Sequence, residues 1–388
     1  MKFLATLSVL LIHVSFLFGQ AEPDLSGVEL QFDQDYFADF LRRNEDNVPN
    51  PHLGANYTTA LRVGIYGQYA NSYYLGLPWV REKIDIVLDN ILYRRDFRDD
   101  YESHNFVFTM NGFSPTHINA ETDAYDAAVA EGYRLVDDRP FSTYLGFRSS
   151  RRLVGTKRII HSAKVFDMGF NSSFAFGLGG TGIGRGIDRI FGVGRPDGIL
   201  WKRDESADFP TGEVIKNVLP VFLYSLSSEV ALWTPFRRVV FQVRPELNLG
   251  YYTNVGLGFD FGKVMNVEPV INRISYTDTN NPSSAAVNDD NMGFSLVGGA
   301  TAKAVLYNYH LNGLYGLSNG HFYSFADTRK VVFEAYVGLK IQILQKVDIT
   351  YSVSWRSSEI RSDFRNNVLW GTLGVKYLMG PAGVGCYD

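Results

Sequence analysis

Residues 331–343, VVFEAYVGLKIQI, set Val331, Phe333, Ala335, Val337, Leu339, Ile341 and Ile343 on one face and Val332, Glu334, Tyr336, Gly338, Lys340 and Gln342 on the other. The first set is wholly apolar and the second mostly polar or small. A two-residue repeat sustained this long outruns the usual strand of a soluble sheet, about 5–6 residues. A bilayer, by contrast, is crossed by strands of about 9–11 tilted residues, one face on lipid and the other on a polar lumen. The repeat recurs at once. Ile349, Tyr351, Val353 and Trp355 alternate with Thr350, Ser352 and Ser354, and Leu369, Gly371, Leu373, Val375 and Tyr377 alternate with Trp370, Thr372, Gly374 and Lys376. Three such strands in series predict a membrane barrel rather than a soluble sandwich.

Lys2 and the short apolar run FLATLSVLLIHVSFLFGQA read as a secretory signal peptide over residues 1–20, with cleavage between Gly19 and Ala21. An exported β-barrel belongs to the outer membrane of a Gram-negative envelope. The barrel is expected over residues 21–380, with a C-terminal tail at 381–388. Candidate strands are residues 28–32, 58–70, 104–113, 141–152, 161–176, 213–233, 238–250, 254–265, 293–307, 328–344, 347–358 and 367–379. That is about twelve, an even number, as closure of a single-chain bacterial barrel requires.

With odd strands running outward from the periplasm, residues 33–57, 114–140 and 177–212 fall on the extracellular rim, the last as a loop with a short helix. Residues 71–103 fall on the periplasmic side as an insertion. Within it Val80, Ile84, Val87, Leu88, Ile91 and Leu92 recur at helical spacing. This helix is expected either to plug or cap the lumen or, through residues 80–95, to dock a periplasmic or outer-membrane protein partner.

Aromatic residues make up 14% of the chain, which suits the interfacial girdles of a barrel. No apolar run reaches the length of a spanning helix. The formal charge of −4 gives no footprint for nucleic acid. The single cysteine, Cys386, cannot form an internal disulfide and follows a Gly-rich tail rather than a ligand cluster.

Residues 177–182, GLGGTG, match the dinucleotide pattern formally, but that pattern needs a buried parallel strand before it, whereas the preceding strand alternates, and an exported protein meets no nicotinamide cofactor. The seven histidines (13, 52, 104, 117, 161, 310 and 321) show no zinc spacing. Asn56-Tyr57-Thr58 and Asn171-Ser172-Ser173 match the glycosylation sequon, without consequence in a bacterium. Arg148, Arg151, Arg152, Lys157 and Arg158 read as the solvated tip of a periplasmic hairpin.

Three segments carry a family resemblance: DQDYF (Asp33 to Phe37) with NYTTAL (Asn56 to Leu61), DDRPFSTYLGF (Asp137 to Phe147), and GTGIGRGIDRIFG (Gly180 to Gly192). In this order and spacing the chain resembles the outer-membrane lipid A 3-O-deacylases. The resemblance implies a twelve-stranded barrel that removes an acyl chain from lipid A with the help of calcium. Carried over by position, the family's Asn-Asp pair falls on Gln34 and Asp35, with Asp35 a calcium ligand, and its Tyr-Thr threonine falls on Thr58. Its Gln falls on Gly184, its His on Asp188 and its following acid on Gly194.

The base position is therefore altered. A histidine titrates near neutrality and can take and return a proton, whereas an exposed aspartate, with a pKa of about 4, is a far poorer base at neutral pH. Two functions of different class follow. One is a barrel with a degenerate site that acts as a binding or structural component of the outer membrane, in contact with its lipid and with lipid A. The alternative is an active lipid A deacylase with an altered site, Asp188 serving as base beside Thr58, Asp35 and Gln34. The residues named for the rim, with Arg139, are expected to cluster at its extracellular end.

Overall fold

The alternation becomes twelve strands. The computed structural model describes residues 25–34, 59–72, 75–91, 97–113, 142–158, 165–180, 218–236, 239–262, 265–266, 276–277, 292–313, 323–343, 347–361 and 367–378. The barrel strands are β1 (Leu25–Gln34), β2 (Thr59–Gly67), β3 (Phe97–Phe113), β4 (Ser142–Arg158), β5 (Val165–Gly179), β6 (Leu219–Phe236), β7 (Val239–Gly250), β8 (Tyr252–Gly262), β9 (Met292–Asn308), β10 (Val331–Ile343), β11 (Val347–Ser357) and β12 (Asn367–Leu378). Each pairs antiparallel with its sequence neighbours, and β1 closes the ring on β12, from Gly27 opposite Leu378 to Gln34 opposite Gly371. Closure leaves no strand edge without a partner, which a lipid environment demands. A detached ribbon pairs Met265–Asn266 with Tyr276–Thr277. No helix among the described residues is long and apolar enough to cross a membrane, which is silent on the strands.

The outer face is apolar, as the repeat predicts. Val331, Phe333, Val337 and Leu339 on β10 are exposed and Ile341 is half-exposed, while Leu373, Val375 and Tyr377 on β12 point the same way. On β8, Val255, Leu257, Phe259 and Phe261 alternate with buried Asn254, Gly256, Gly258 and Asp260.

The inner face is filled by paired charges. Lys303 is 0% exposed and lies 2.8 Å from Glu334 and 3.4 Å from Glu246. Arg356 binds Glu334 at 2.5 Å and Glu359 at 3.3 Å, and Arg244 binds Asp260 at 2.8 Å and Glu246 at 3.3 Å. A second group joins Lys340 to Asp348 at 2.7 Å and sets Lys376 3.8 Å from the centre of the Tyr66 ring, whose hydroxyl donates to Glu29. Charges withdrawn from water cost several kcal/mol each, and close opposite partners offset that cost. Among the described residues the lumen thus holds a packed ionic core on the β7–β11 side.

Two readings of the basic and glycine-rich stretches are corrected. β4 runs on to Arg158, so Arg148 and Arg152 are buried lumen residues rather than a solvated tip, and Arg152 pairs with Glu229 at 2.9 Å. β5 continues to Gly179, so the GLGGTG stretch starts inside a strand and the loop expected from residue 177 starts later. A Cβ on Gly177 would come within 2.3 Å of the Leu145 carbonyl oxygen, so close approach of β4 and β5 accounts for this glycine.

Helix α1 (Leu77–Ile91) forms where the helical spacing predicts it, but it neither plugs nor caps the lumen. Its Arg81 donates to the Ser149 hydroxyl at 3.1 Å and to Asn71 at 2.7 Å, and its Asp85 accepts from Ser172 at 2.7 Å and Tyr224 at 2.8 Å. Ser149 shares its strand face with exposed Phe147, Ser172 with exposed Phe176, and Tyr224 with exposed Phe222. Side chains two apart on a strand point the same way, so α1 lies on the outer wall. Its apolar stripe is not the packed face either: Val80, Ile84 and Leu88 are half-buried and Val87 is exposed, while Pro78, Arg81 and Asp85 are buried.

Candidate functional site at the loop-bearing mouth

Strand direction gathers one set of ends at one mouth. β1 ends at Gln34, β2 begins at Thr59, β3 ends at Phe113, β4 begins at Ser142, β5 ends at Gly179 and β6 begins at Leu219. The connections carrying the predicted rim residues therefore all leave from this end. Gln34 itself closes the β1–β12 ladder through its backbone opposite Gly371. The Gln34 side chain and Asp35, Thr58, Arg139, Gly184, Asp188 and Gly194 lie outside the described residues, as do the signal peptide, the short helix expected in 177–212, and the C-terminal tail.

Under this mouth the lumen changes from ionic to aromatic. Tyr144, Ala175, Val221, Leu223, Tyr251, Tyr252, Val305, Tyr309 and Val332 form one buried cluster. The Tyr144 and Tyr251 rings lie 5.2 Å apart, and the Tyr309 ring meets Tyr251 edge-on at 5.3 Å. The short helix α2 (Tyr309–Asn312) supplies the lid of this cluster. It starts because the Asn308 side chain accepts from the His310 backbone N–H at 3.0 Å, and it stops at Gly313, whose φ of 71° suits glycine. Asn308 is held in turn by Glu359 at 3.0 Å, and Glu359 also accepts from the Tyr252 hydroxyl at 3.4 Å.

This lid brings together two residues that sequence reasoning leaves apart. Ser142 Oγ and His310 Nδ1 are 2.5 Å from each other, both side chains buried. Ser142 belongs to the DDRPFSTYLGF segment, the sharpest part of the family resemblance, while His310 is 168 positions away in sequence and belongs to no motif. The only local signal for it is the Asn308 cap and Gly313 stop around it. The Tyr309 hydroxyl donates to the Thr143 carbonyl at 2.7 Å, and burial holds the Tyr309 phenol well above its ordinary pKa, so it serves as a neutral donor. Chemically, a hydroxyl and an imidazole at hydrogen-bond distance can exchange a proton.

No group of three or more His, Cys, Asp or Glu among the described residues could hold a metal ion. Asp35, the position to which the resemblance assigns calcium, lies outside them.

No protein-family model and no curated protein matches the sequence. Among solved structures, LpxR from Salmonella typhimurium superposes with a TM-score of 0.55 at 13% identity, over 91% of this chain and 100% of that one. A bacterial polysaccharide outer membrane secretin and OprB from Pseudomonas putida reach TM-scores of only 0.31 and 0.29, at 9% and 6% identity, over 93% and 92% of this chain and 100% and 93% of theirs. At such identities the likeness to LpxR is one of fold, and the fold of this chain is that of an outer-membrane β-barrel.

Proposed function

We propose that this chain resides in the outer membrane as a lipid A-contacting barrel that has the deacylase architecture but not its catalytic machinery, and that it acts as a binding or structural component. The observation that carries the reading is Asp188 at the position where the resembled family has its histidine base. The fold shared with LpxR supports the architecture from which that position is read. An ordinary aspartate is a far poorer base than histidine at neutral pH, and the supporting Gln and acid of the family are Gly184 and Gly194 here. The ion pairs among the described lumen residues speak against a diffusion pore. Asp35 keeps the one carboxylate to which the resemblance assigns calcium.

The test is mass spectrometry of lipid A from cells with and without the protein. The acylation pattern is expected to be the same in both. Loss of an acyl chain that depends on Asp188, abolished by Asp188→Ala, would overturn the reading and make the chain a calcium-assisted deacylase.

One observation favours a second reading. The Ser142–His310 pair has the separation of a nucleophile and its base. In that reading the chain is a hydrolase that uses Ser142 in place of an activated water. A fluorophosphonate probe that labels Ser142 in the wild type and fails to label His310→Gln would favour it; the absence of labelling leaves the pair as the staple that holds α2 over the mouth.

A further inference from the structure

We propose that helix α1 is a membrane-embedded element: it seals a polar gap in the lipid-facing belt of the barrel with its charged face and presents Trp79, Ile86 and Val87 to lipid acyl chains. This rests on the reading of the chain as an outer-membrane barrel. It replaces the expectation of a periplasmic helix that plugs or caps the lumen or docks a protein partner.

The gap is visible strand by strand. On β5 the outward residues are Met168, Phe170, Ser172, Phe174, Phe176 and Leu178, so Ser172 is the one polar position in an apolar stripe. Its outward neighbours across the sheet are also polar: Arg151 on β4 stands opposite Ser172, and His104 on β3 stands opposite Arg151. Ser149 lies two positions from Arg151 on the same face. Left facing acyl chains, this row would cost several kcal/mol per unsatisfied group.

Helix α1 takes up half of that row, Ser149 and Ser172. Arg81 and Asp85 are 1% and 3% exposed, lie 3.6 Å apart, and between them engage Ser149, Ser172, Tyr224 and Asn71. At the edge of the patch Glu102 binds Arg151 at 2.5 Å and His104 at 3.3 Å. Helix and wall therefore meet through polar groups, the reverse of a helix packed in water. Intramembrane charges face protein in this way, not lipid.

The opposite face is the other half of the argument. Trp79, Ile86 and Val87 are 53%, 47% and 59% exposed. They stand on a helix that covers Ser149 and Tyr224, whose same-face neighbours Phe147 and Phe222 are exposed on the same outer wall. Lys83 also points outward from α1. A Trp and a Lys on one helix face fit the boundary zone, where the indole sits at headgroup level and the lysine stem carries its ammonium out of the apolar layer. Bilayer acyl chains are the occupant that matches this face, because the outer wall on which the helix lies carries the apolar belt of the barrel.

Spin labels separate this from the alternatives. In a Cys386→Ser background, single cysteines at Val87, Ile86 and Val337 are labelled in protein reconstituted into vesicles of phosphatidylethanolamine and phosphatidylglycerol. Collision with oxygen, which concentrates in lipid, is compared with collision with a water-soluble nickel chelate. At Val337 on β10 oxygen is expected to dominate, and the same shift toward oxygen is expected at Val87 and Ile86. Nickel dominating at Val87 and Ile86 but not at Val337 would overturn the inference and leave the barrel reading intact. Low collision with both reagents at Val87 and Ile86 would also overturn it, since a second copy or another protein would then cover the helix. Nickel dominating at Val337 as well would sink the barrel reading first.

Discussion

Ser172 on β5 donates its hydroxyl to Asp85 on α1 at 2.7 Å, across the outside of the barrel wall. That bond is one of four polar links that the helix makes through two charged side chains, and it fixes what happens when one of them is lost. Asp85→Ala leaves the Arg81 guanidinium against the wall without its counter-charge. Breaking a buried pair from one side costs about 3–5 kcal/mol. The expected result is release of α1 with the barrel still closed, read by limited proteolysis as new cleavage within residues 68–96 while the strands stay protected. The double change Arg81→Met with Asp85→Leu is expected to be milder, because no lone charge remains. Equal proteolysis of wild type and Asp85→Ala would show that the pair does not hold the helix.

Lys303 lies between two carboxylates in the lumen, so Lys303→Met exposes Glu334 and Glu246 to each other and to burial. Each keeps an arginine, Arg356 and Arg244 respectively. The loss is therefore expected at the lower end of the range for a broken buried pair, about 3 kcal/mol. Urea unfolding in lipid vesicles measures it as a lower midpoint at unchanged slope. Adding Glu246→Gln is expected to recover part of the loss. An unchanged midpoint for Lys303→Met would mean that the ionic core contributes nothing to stability.

The rim near Asp327 is expected to depend on pH. Its carboxylate accepts from the Ser324 hydroxyl at 2.5 Å and the Ser324 backbone N–H at 3.1 Å, and these bonds, the hydroxyl first, hold its pKa below the ordinary carboxylate value. A pKa lowered on folding adds stability that is present above the unfolded value and is lost as pH falls through the folded one. The turn should therefore loosen only in acid, below the normal range of an aspartate. Carboxyl-carbon NMR shifts follow the titration directly, and Ser324→Ala should return Asp327 upward toward its ordinary value. A titration unchanged by that substitution would remove Ser324 as the cause.

The barrel was legible because side-chain alternation is a local property of an extended chain. Val331, Phe333, Val337 and Leu339 face outward for the same reason that they occupy every second position, and strand parity then sends the end of β1, the start of β4 and the end of β5 to one mouth. The tight spacing between β10 and β11 placed their ends correctly without any knowledge of the lumen.

Three features were decided by tertiary structure alone. Arg148 and Arg152 looked like a hairpin tip because five basic residues crowd one stretch; β4 continues through them, and Glu229 on β6 supplies the counter-charge that lets Arg152 enter the lumen. Ser142 and His310 meet only because α2 folds back over the mouth, a contact that no spacing in the sequence encodes. Helix α1 had a legible period but not a legible orientation. Its apolar stripe would turn inward if water surrounded the barrel. The wall beneath it offers Ser149, Ser172 and Tyr224 as hydrogen-bond partners, so Arg81 and Asp85 turn inward instead. Periodicity marks the two faces of a helix, whereas the chemistry of the surface it meets selects which one is buried.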